Sequence, residues 1–183
     1  PETHYDMVRA GIGMYGLSPD PSVASAQELG LIPVMTLSAP LTSVKVIEEG
    51  TPASYGGTWQ APSRRWVGLV PLGYGDGILR AASNGAPVAV ETDSGLVKAQ
   101  VVGRICMDQF IIDLGPAEGQ EGAATHNSGS APAKVGDQAI LFGDPAKGYP
   151  IADEWAAHAG TINYEVITRL GERIPRQYVN EEE

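Results

Sequence analysis

Cysteine and histidine are scarce in this sequence, whose 183 residues contain one cysteine and three histidines. A single thiol, Cys106, excludes an internal disulfide and accords with a reducing compartment, so we expect a cytoplasmic location. His4, His126 and His158 are scattered, and no CxxC or HxxxH spacing occurs, so we expect no metal site. A serine or cysteine nucleophile paired with a nearby histidine has no support from the sequence.

Basic residues and long apolar runs are also scarce. Twelve Lys and Arg residues against 22 Asp and Glu give a formal net charge of -10, and a phosphate backbone needs a basic face, so we expect no nucleic-acid partner. No apolar run approaches the about 20 residues of a membrane span, and no signal peptide opens the sequence, so we expect no membrane partner. The sequence begins at Pro1 rather than at a methionine, and we expect it to be part of a longer protein.

Glycine and proline, by contrast, are abundant, with 23 and 14 residues, while 43% of the chain is hydrophobic. This composition predicts a packed core made of short strands and many turns. The alternation and turn signals predict strands at residues 44–46, 66–72, 87–91, 96–102, 109–114 and 138–142, with a hairpin turn at 92–95. Residues 115–136 are rich in Gly, Ala, Ser and Glu, which predicts a mobile surface insertion with an exposed His126.

The last forty residues change character. Apolar residues at helical spacing predict a helix over 151–159 that Gly160 caps, and a second helix over 163–170. We expect a closing strand over 173–179. The polar connection at 17–30 marks a boundary, so the chain divides into residues 1–25 and a mainly β domain at 26–183.

Several stretches place reactive side chains among glycines, which permit positive φ and close approach of the backbone. Tyr55 follows Ser54 and precedes two glycines, so it is either a half-buried aromatic that closes a hairpin or a loop residue with a functional phenol. Tyr74 and Asp76 lie in a similar turn, in which Asp76 either serves a site or bonds its own backbone.

Two further stretches could contact an anion. Arg9 precedes a glycine turn with uncovered amides, which is either an anion cradle or an ordinary corner with an exposed arginine. Tyr164 stands at the start of a predicted helix, where negative charge is also favoured. Cys106 and Met107 are interpreted as core residues next to Arg104. The residues alone therefore predict a β-rich domain that helps to line a polar pocket.

Taken together and in order, five motifs resemble those of the alanine racemases, which are pyridoxal-phosphate enzymes. The matching stretches are residues 8–19, 54–56, 73–77, 102–109 and 161–165. The resemblance runs almost the length of the chain and is strongest to actinobacterial members. Ala10 departs from the family, which often has proline at this position.

The resemblance implies a two-domain fold and a separate role for each domain. The family has an N-terminal (β/α)8 barrel that holds the cofactor and a C-terminal, mainly β domain that completes the site. Residues 1–25 would be a remnant of that barrel with its linker, and 26–183 a barrel-like β domain with a short helical pair near the C-terminus. The lysine that carries the cofactor in the family lies upstream, so the chain is expected to be inactive alone.

The resemblance also implies residue roles. In a homodimer with a shared active site, Tyr55 would be the base on one face of the substrate and the absent lysine the base on the other. Arg9 would face the ring nitrogen of pyridoxal 5'-phosphate. Gly11, Ile12 and Tyr164 would bind the phosphate of the cofactor. Met107 would bind the carboxylate of the substrate. Four further residues would line the substrate channel: Tyr74, Arg80, Arg104 and Ile162.

The implied reaction is the interconversion of L-alanine and D-alanine, which supplies D-alanine for peptidoglycan. Two alternatives stay open: a serine or broader-specificity racemase of the same fold, and a β-barrel binding module without chemistry. A tyrosine in water has a pKa of about 10, so a tyrosine base needs a cation or hydrogen-bond donor to stabilise its phenolate. The sequence shows no such partner for Tyr55.

Overall fold

The computed structural model describes residues 5–117 and 131–179. His4, His126 and most of the predicted insertion at 115–136 lie outside the described residues. No helix among the residues described is long and apolar enough to cross a membrane.

The described chain is built mainly from strands. They are β1 (Leu37–Pro40), β2 (Ser43–Ile47), β3 (Pro52–Ala53), β4 (Trp59–Gln60), β5 (Arg65–Val70), β6 (Pro87–Thr92), β7 (Gly95–Val102), β8 (Phe110–Pro116) and β9 (Gln138–Phe142). The helices are α1 (Ala152–Ala159) and α2 (Asn163–Thr168). Short 3-10 turns occupy Ile12–Tyr15, Tyr55–Gly57, Tyr74–Asp76, Arg80–Ala82 and Pro145–Lys147.

The main sheet curls into a barrel-like shape. It has seven strands in the order β1-β9-β6-β7-β8-β5-β2, and each neighbouring pair is antiparallel. β1 and β2 lie at opposite edges, yet only Leu41 and Thr42 connect them. That link spans about 11 Å, whereas a flat sheet of this width would measure about 28 Å across. The short link therefore requires the edges to approach each other, and the predicted barrel-like fold is confirmed.

Helix α1 packs against the core of the curled sheet. Its buried face consists of Ala152, Trp155 and Ala156, at the i, i+3, i+4 spacing expected of an amphipathic helix. The Trp155 ring meets Phe110 edge to face, with centroids 6.3 Å apart, and its Nε1–H donates to the Pro87 carbonyl at 2.9 Å. Truncation of so large a buried aromatic to alanine costs about 3–5 kcal/mol, so α1 is firmly held.

Most predicted elements are confirmed, and one is wrong. The six predicted strands, the hairpin turn between β6 and β7, and the two helices are all present. Residues 173–179, expected to form a closing strand, instead form a turn and an extended end without a sheet partner. The Arg176 guanidinium donates to the carbonyls of Leu170, Gly171 and Ile174, and Pro175 lacks an N–H for a ladder. These contacts fold the segment back on the end of α2.

Candidate functional site

The turns that carry Tyr55, Tyr74 and Arg80 converge on residues 103–109, which connect β7 to β8 and are called the central loop below. The loop begins at Gly103, whose φ is +71° and whose main chain lies against β3. A Cβ atom on Gly103 would lie only 2.5 Å from the Ala53 carbonyl oxygen. Only glycine permits this contact, so the loop and the segment before Tyr55 meet backbone to backbone.

The turn that carries Tyr55 is anchored to the central loop by Ser54. The Ser54 hydroxyl donates to the Arg104 carbonyl at 2.6 Å and lies 3.2 Å from the Cys106 Sγ. Tyr55 itself is 74% exposed, so the interpretation of a half-buried aromatic is wrong and its position on an exposed turn is confirmed, while the function of its phenol stays a prediction.

A cation lies beside the Tyr55 turn, and no sequence pattern indicates this neighbour. The Arg104 guanidinium packs on the backbone of Gly56, where an added Cβ would lie 3.1 Å from Nη1. Arg104 forms no ion pair with any described carboxylate, so its charge is not neutralised within the part of the chain that the structure describes. The turn that carries the exposed Tyr55 therefore packs against a guanidinium group through its backbone at Gly56.

The Tyr74 turn is hydrogen bonded to the other side of the central loop. The N–H of Tyr74 donates to the Cys106 carbonyl at 3.0 Å, and that of Gly75 to the Met107 carbonyl at 2.8 Å. The buried Asp76 carboxylate accepts from the Gly73 N–H at 2.8 Å, so the predicted bond of Asp76 to its own backbone is confirmed.

The Arg80 turn is tied to the same loop through two polar residues that follow it. Ser83 accepts from the Ile105 N–H at 3.0 Å and donates to the Arg80 carbonyl at 2.6 Å. Asn84 accepts from the Gly103 N–H at 2.7 Å and donates to the Thr58 hydroxyl at 3.1 Å. The Tyr55, Tyr74 and Arg80 turns are thus fixed to one short segment.

Arg173 closes this network from the far end of the chain. Its Nη2 lies 2.6 Å from Asp108 of the central loop, and its Nε lies 3.2 Å from Asp76 of the Tyr74 turn. The hydrogen bond to Asp108 and the charge of Asp76 raise the pKa of the Arg173 guanidinium above its usual value. One cation therefore joins two carboxylates that belong to different turns.

Met107 is not the core residue that its apolar neighbours suggested, because it is 53% exposed. The glycine turn at Gly73–Gly75 packs against the Met107 carbonyl, which directs the side chain outward. The Met107 backbone N–H makes no hydrogen bond to any described residue. It is therefore available to a ligand.

A second group of predicted residues lies at the N-terminal end. Arg9 and Gly11 are exposed, while the Ile12 side chain is buried. The N–H groups of Gly11 and Ile12 donate to no described residue, and a Cβ on Gly11 would meet nothing within 4 Å. Within the described ranges Arg9 has no ion-pair partner. A guanidinium and two open amides make an anion-binding set.

Asn163 joins the chain that follows this turn to the helix that carries Tyr164. Its amide is buried and donates to the Ser18 carbonyl at 2.9 Å and to Asp153 at 2.8 Å. Burial raises the pKa of the Asp153 carboxyl, although the Asn163 hydrogen bond acts in the opposite direction. Tyr164 is half-buried against the core, whereas Ile162 is 61% exposed. No hydrogen bond or ion pair among the described residues joins Arg9, Gly11 or Ile12 to the central loop.

Sequence reasoning missed the residues that connect the turns. Asn84 carries a detectable signal, because Asn-Gly pairs favour turns with positive φ, and its φ is +58°. Ser54 and Ser83 carry none. Arg173 pairs with a residue 65 positions away, which no local pattern indicates.

These features place the chain in the class of barrel-like β domains. Its candidate site consists of tyrosines and arginines on neighbouring turns. Residues 34–178 match the sequence model of the alanine racemase C-terminal domain. The chain is 46% identical over 181 residues to the alanine racemase of Streptomyces coelicolor, covering 99% of this chain and 42% of that protein. It is 43% identical over 178 residues to the alanine racemase of Mycobacterium leprae, covering 97% of this chain and 41% of that protein. The chain therefore belongs to the alanine racemase family, as its motifs predicted.

Solved structures agree with this assignment. The alanine racemase of Streptomyces coelicolor superposes with a TM-score of 0.84 at 45% identity, over 99% of this chain and 43% of that one. The biosynthetic alanine racemase of Pseudomonas aeruginosa superposes with a TM-score of 0.78 at 35% identity, over 96% of this chain and 43% of that one. The chain spans less than half the length of these relatives and has the fold of their C-terminal domain.

Proposed function

We propose that this chain is the C-terminal part of a cytoplasmic, pyridoxal-phosphate-dependent alanine racemase that interconverts L-alanine and D-alanine. Residues 1–25 would be the end of the cofactor-binding barrel and its linker, and 26–183 the domain that completes the site. The observation that carries the proposal is the exposed Tyr55, anchored beside Arg104. The family of the chain supports the reaction class.

The N-terminal group has the chemistry that the cofactor requires. Arg9 has a permanent positive charge and would donate a hydrogen bond to the ring nitrogen without protonating it. The open amides of Gly11 and Ile12, with the Tyr164 hydroxyl, would hold the phosphate, which matches the usual place of phosphate sites near the last strands of (β/α)8 barrels. When bound, pyridoxal phosphate supplies the electron sink that acidifies the α-hydrogen of an amino acid.

Racemisation needs a proton removed at one face of the α-carbon and returned at the other. Tyr55 would exchange this proton at its phenol oxygen, and a lysine upstream of this chain would serve the opposite face. The Arg104 guanidinium packs against the backbone of the Tyr55 turn. The open Met107 N–H would donate to the substrate carboxylate. The residues proposed to line the substrate channel are Tyr74, Arg80, Arg104 and Ile162.

The two groups of site residues support a shared active site. No hydrogen bond or ion pair among the described residues joins Arg9, Gly11 or Ile12 to the loop that anchors Tyr55. In a homodimer, Tyr55 of one subunit would complete the site formed by the cofactor-binding residues of the other. The isolated chain would lack the lysine and would be inactive.

The test is Tyr55→Phe in the full-length protein loaded with pyridoxal phosphate. The exchange of the α-proton of L-alanine and of D-alanine is followed separately in heavy water by NMR. A general base contributes about 100-fold or more, so exchange from L-alanine is expected to fall about 100-fold while exchange from D-alanine falls much less. Equal losses from the two enantiomers would contradict the role of Tyr55.

Tyr178→Phe is the matched control, because Tyr178 is also 74% exposed and lies outside both groups of site residues. It is expected to leave both exchange rates unchanged. If the wild-type protein exchanges neither enantiomer while folded and loaded with cofactor, the proposed reaction is wrong.

A further inference from the structure

Ser54, which immediately precedes Tyr55, has a backbone conformation that side chains avoid. Its φ is +59° and its ψ is -172°, a region populated almost only by glycine. Apart from Ser54, positive φ at a residue other than glycine occurs in the described chain only at Tyr5 and Asn84. A strained residue persists only where its surroundings hold it, and such residues cluster at functional sites.

The surroundings that hold Ser54 belong to the central loop. Its hydroxyl donates to the Arg104 carbonyl at 2.6 Å and lies 3.2 Å from the Cys106 Sγ. Its Cβ packs against Gly103, where an added Cβ would come within 2.9 Å. A glycine at position 54 would adopt this backbone without strain but could not make the hydroxyl contacts. The hydroxyl contacts of Ser54 therefore accompany its strained backbone and help to hold it.

We infer that Ser54 is a positioning residue that sets the place of the Tyr55 phenol by tying the backbone before it to the carbonyl of Arg104. The inference rests on the proposed role of Tyr55 as the base on one face of the substrate. Because Tyr55 is largely exposed, little packing of its own ring fixes it, and the anchor at Ser54 limits where the phenol can lie. A reacting group displaced by about 1 Å can lose 100-fold in rate.

Two substitutions separate positioning from folding. Ser54→Gly removes the hydroxyl and relieves the strained φ, whereas Ser54→Ala removes the hydroxyl and retains the strain. Both are expected to lower α-proton exchange from L-alanine by about 10-fold or more, with a much smaller effect on exchange from D-alanine. The midpoint of thermal unfolding is expected to fall for Ser54→Ala only.

Ser94 provides matched controls for both substitutions. It lies in the turn between β6 and β7, at the opposite end of β7 from the central loop, and its hydroxyl contacts the Thr92 side chain on the surface. Ser94→Gly and Ser94→Ala are expected to leave both exchange rates unchanged.

All variants are measured beside Tyr55→Phe in the full-length, cofactor-loaded protein. The inference is overturned if Ser54→Gly exchanges L-alanine at the wild-type rate, or if it slows both enantiomers equally. If Tyr55→Phe lowers L-alanine exchange selectively and Ser54→Gly does not, the inference alone fails. If Tyr55→Phe shows no selectivity, the proposed role of Tyr55 fails and the inference fails with it.

Discussion

At the scale of single residues, Arg173 shows how a distant side chain stabilises the site. Asp76 is only 5% exposed, and its carboxylate has the Gly73 N–H and the Arg173 guanidinium as partners. A buried carboxylate that loses its cation retains its desolvation cost without the compensating charge. This one guanidinium therefore adds an ionic link between the Tyr74 turn and the central loop.

We predict that Arg173→Ala lowers the urea concentration at the midpoint of unfolding, because it leaves the Asp76 carboxylate buried without its cation. Arg173 is 55% exposed, so water screens part of the interaction and the loss is smaller than for a fully buried pair.

Arg169→Ala is the control for this prediction. Its exposed pair with Glu165 is an i,i+4 contact on α2, which contributes little to stability because water screens it. Similar losses for the two variants would show that Arg173 acts only as a surface charge.

At the scale of elements, two glycines end helical turns with positive φ but in different surroundings. Gly160 ends α1 with φ of +68° and would meet nothing within 4 Å with a Cβ added. Gly77 ends the Tyr74 turn with φ of +98°, and its Cβ would lie 2.0 Å from the Arg169 carbonyl oxygen. Position 160 requires only a residue that can adopt positive φ. Position 77 also has no room for a Cβ atom.

We predict that Gly160→Ala destabilises the protein by about 1 kcal/mol, the cost of left-handed backbone for a residue with a side chain. Gly77→Ala adds a main-chain clash and is expected to cost about 3 kcal/mol or more. Thermal unfolding of the two variants provides the comparison. Equal midpoints would mean that the end of α2 moves freely away from the Tyr74 turn.

Local sequence patterns predicted the strands and helices well. They did not predict the hydrogen bonds and ion pairs that join the turns of the site. Helical spacing indicated α1 because it buries one regular face, and apolar runs on either side of a turn signal indicated β6 and β7. The same patterns failed at 173–179, where Arg176 satisfies nearby carbonyls and no ladder forms. Glycines marked the turns of the site. The bonds between those turns join residues tens of positions apart, so no local pattern contains them.

At the scale of the whole molecule, charge is distributed unevenly. The chain has a formal net charge of -10, yet Arg9, Arg80 and Arg104 form no ion pair within the described ranges. These arginines are all proposed site residues, so an anionic substrate or cofactor would meet local positive charge on an acidic protein. The lysines lie elsewhere and are exposed: Lys45, Lys98, Lys134 and Lys147.

We predict that the isolated chain does not bind pyridoxal phosphate covalently at the proposed site. None of its lysines belongs to either group of site residues, so none is in place to attach the cofactor. Titration with pyridoxal phosphate is expected to give no stoichiometric visible absorption band. A stoichiometric band that is lost when one particular lysine is changed to arginine, and not when the others are, would contradict this prediction.

The central loop is held almost wholly through peptide groups. Its partners bind the Arg104 carbonyl, the Ile105 N–H and the carbonyls of Cys106 and Met107. The side chains at 104 and 107 are therefore separable from the scaffold that carries them. A combinatorial library restricted to these two positions would vary the size and polarity of the proposed pocket while every main-chain hydrogen bond stays intact. These two positions are therefore the natural starting point for evolving a different substrate range.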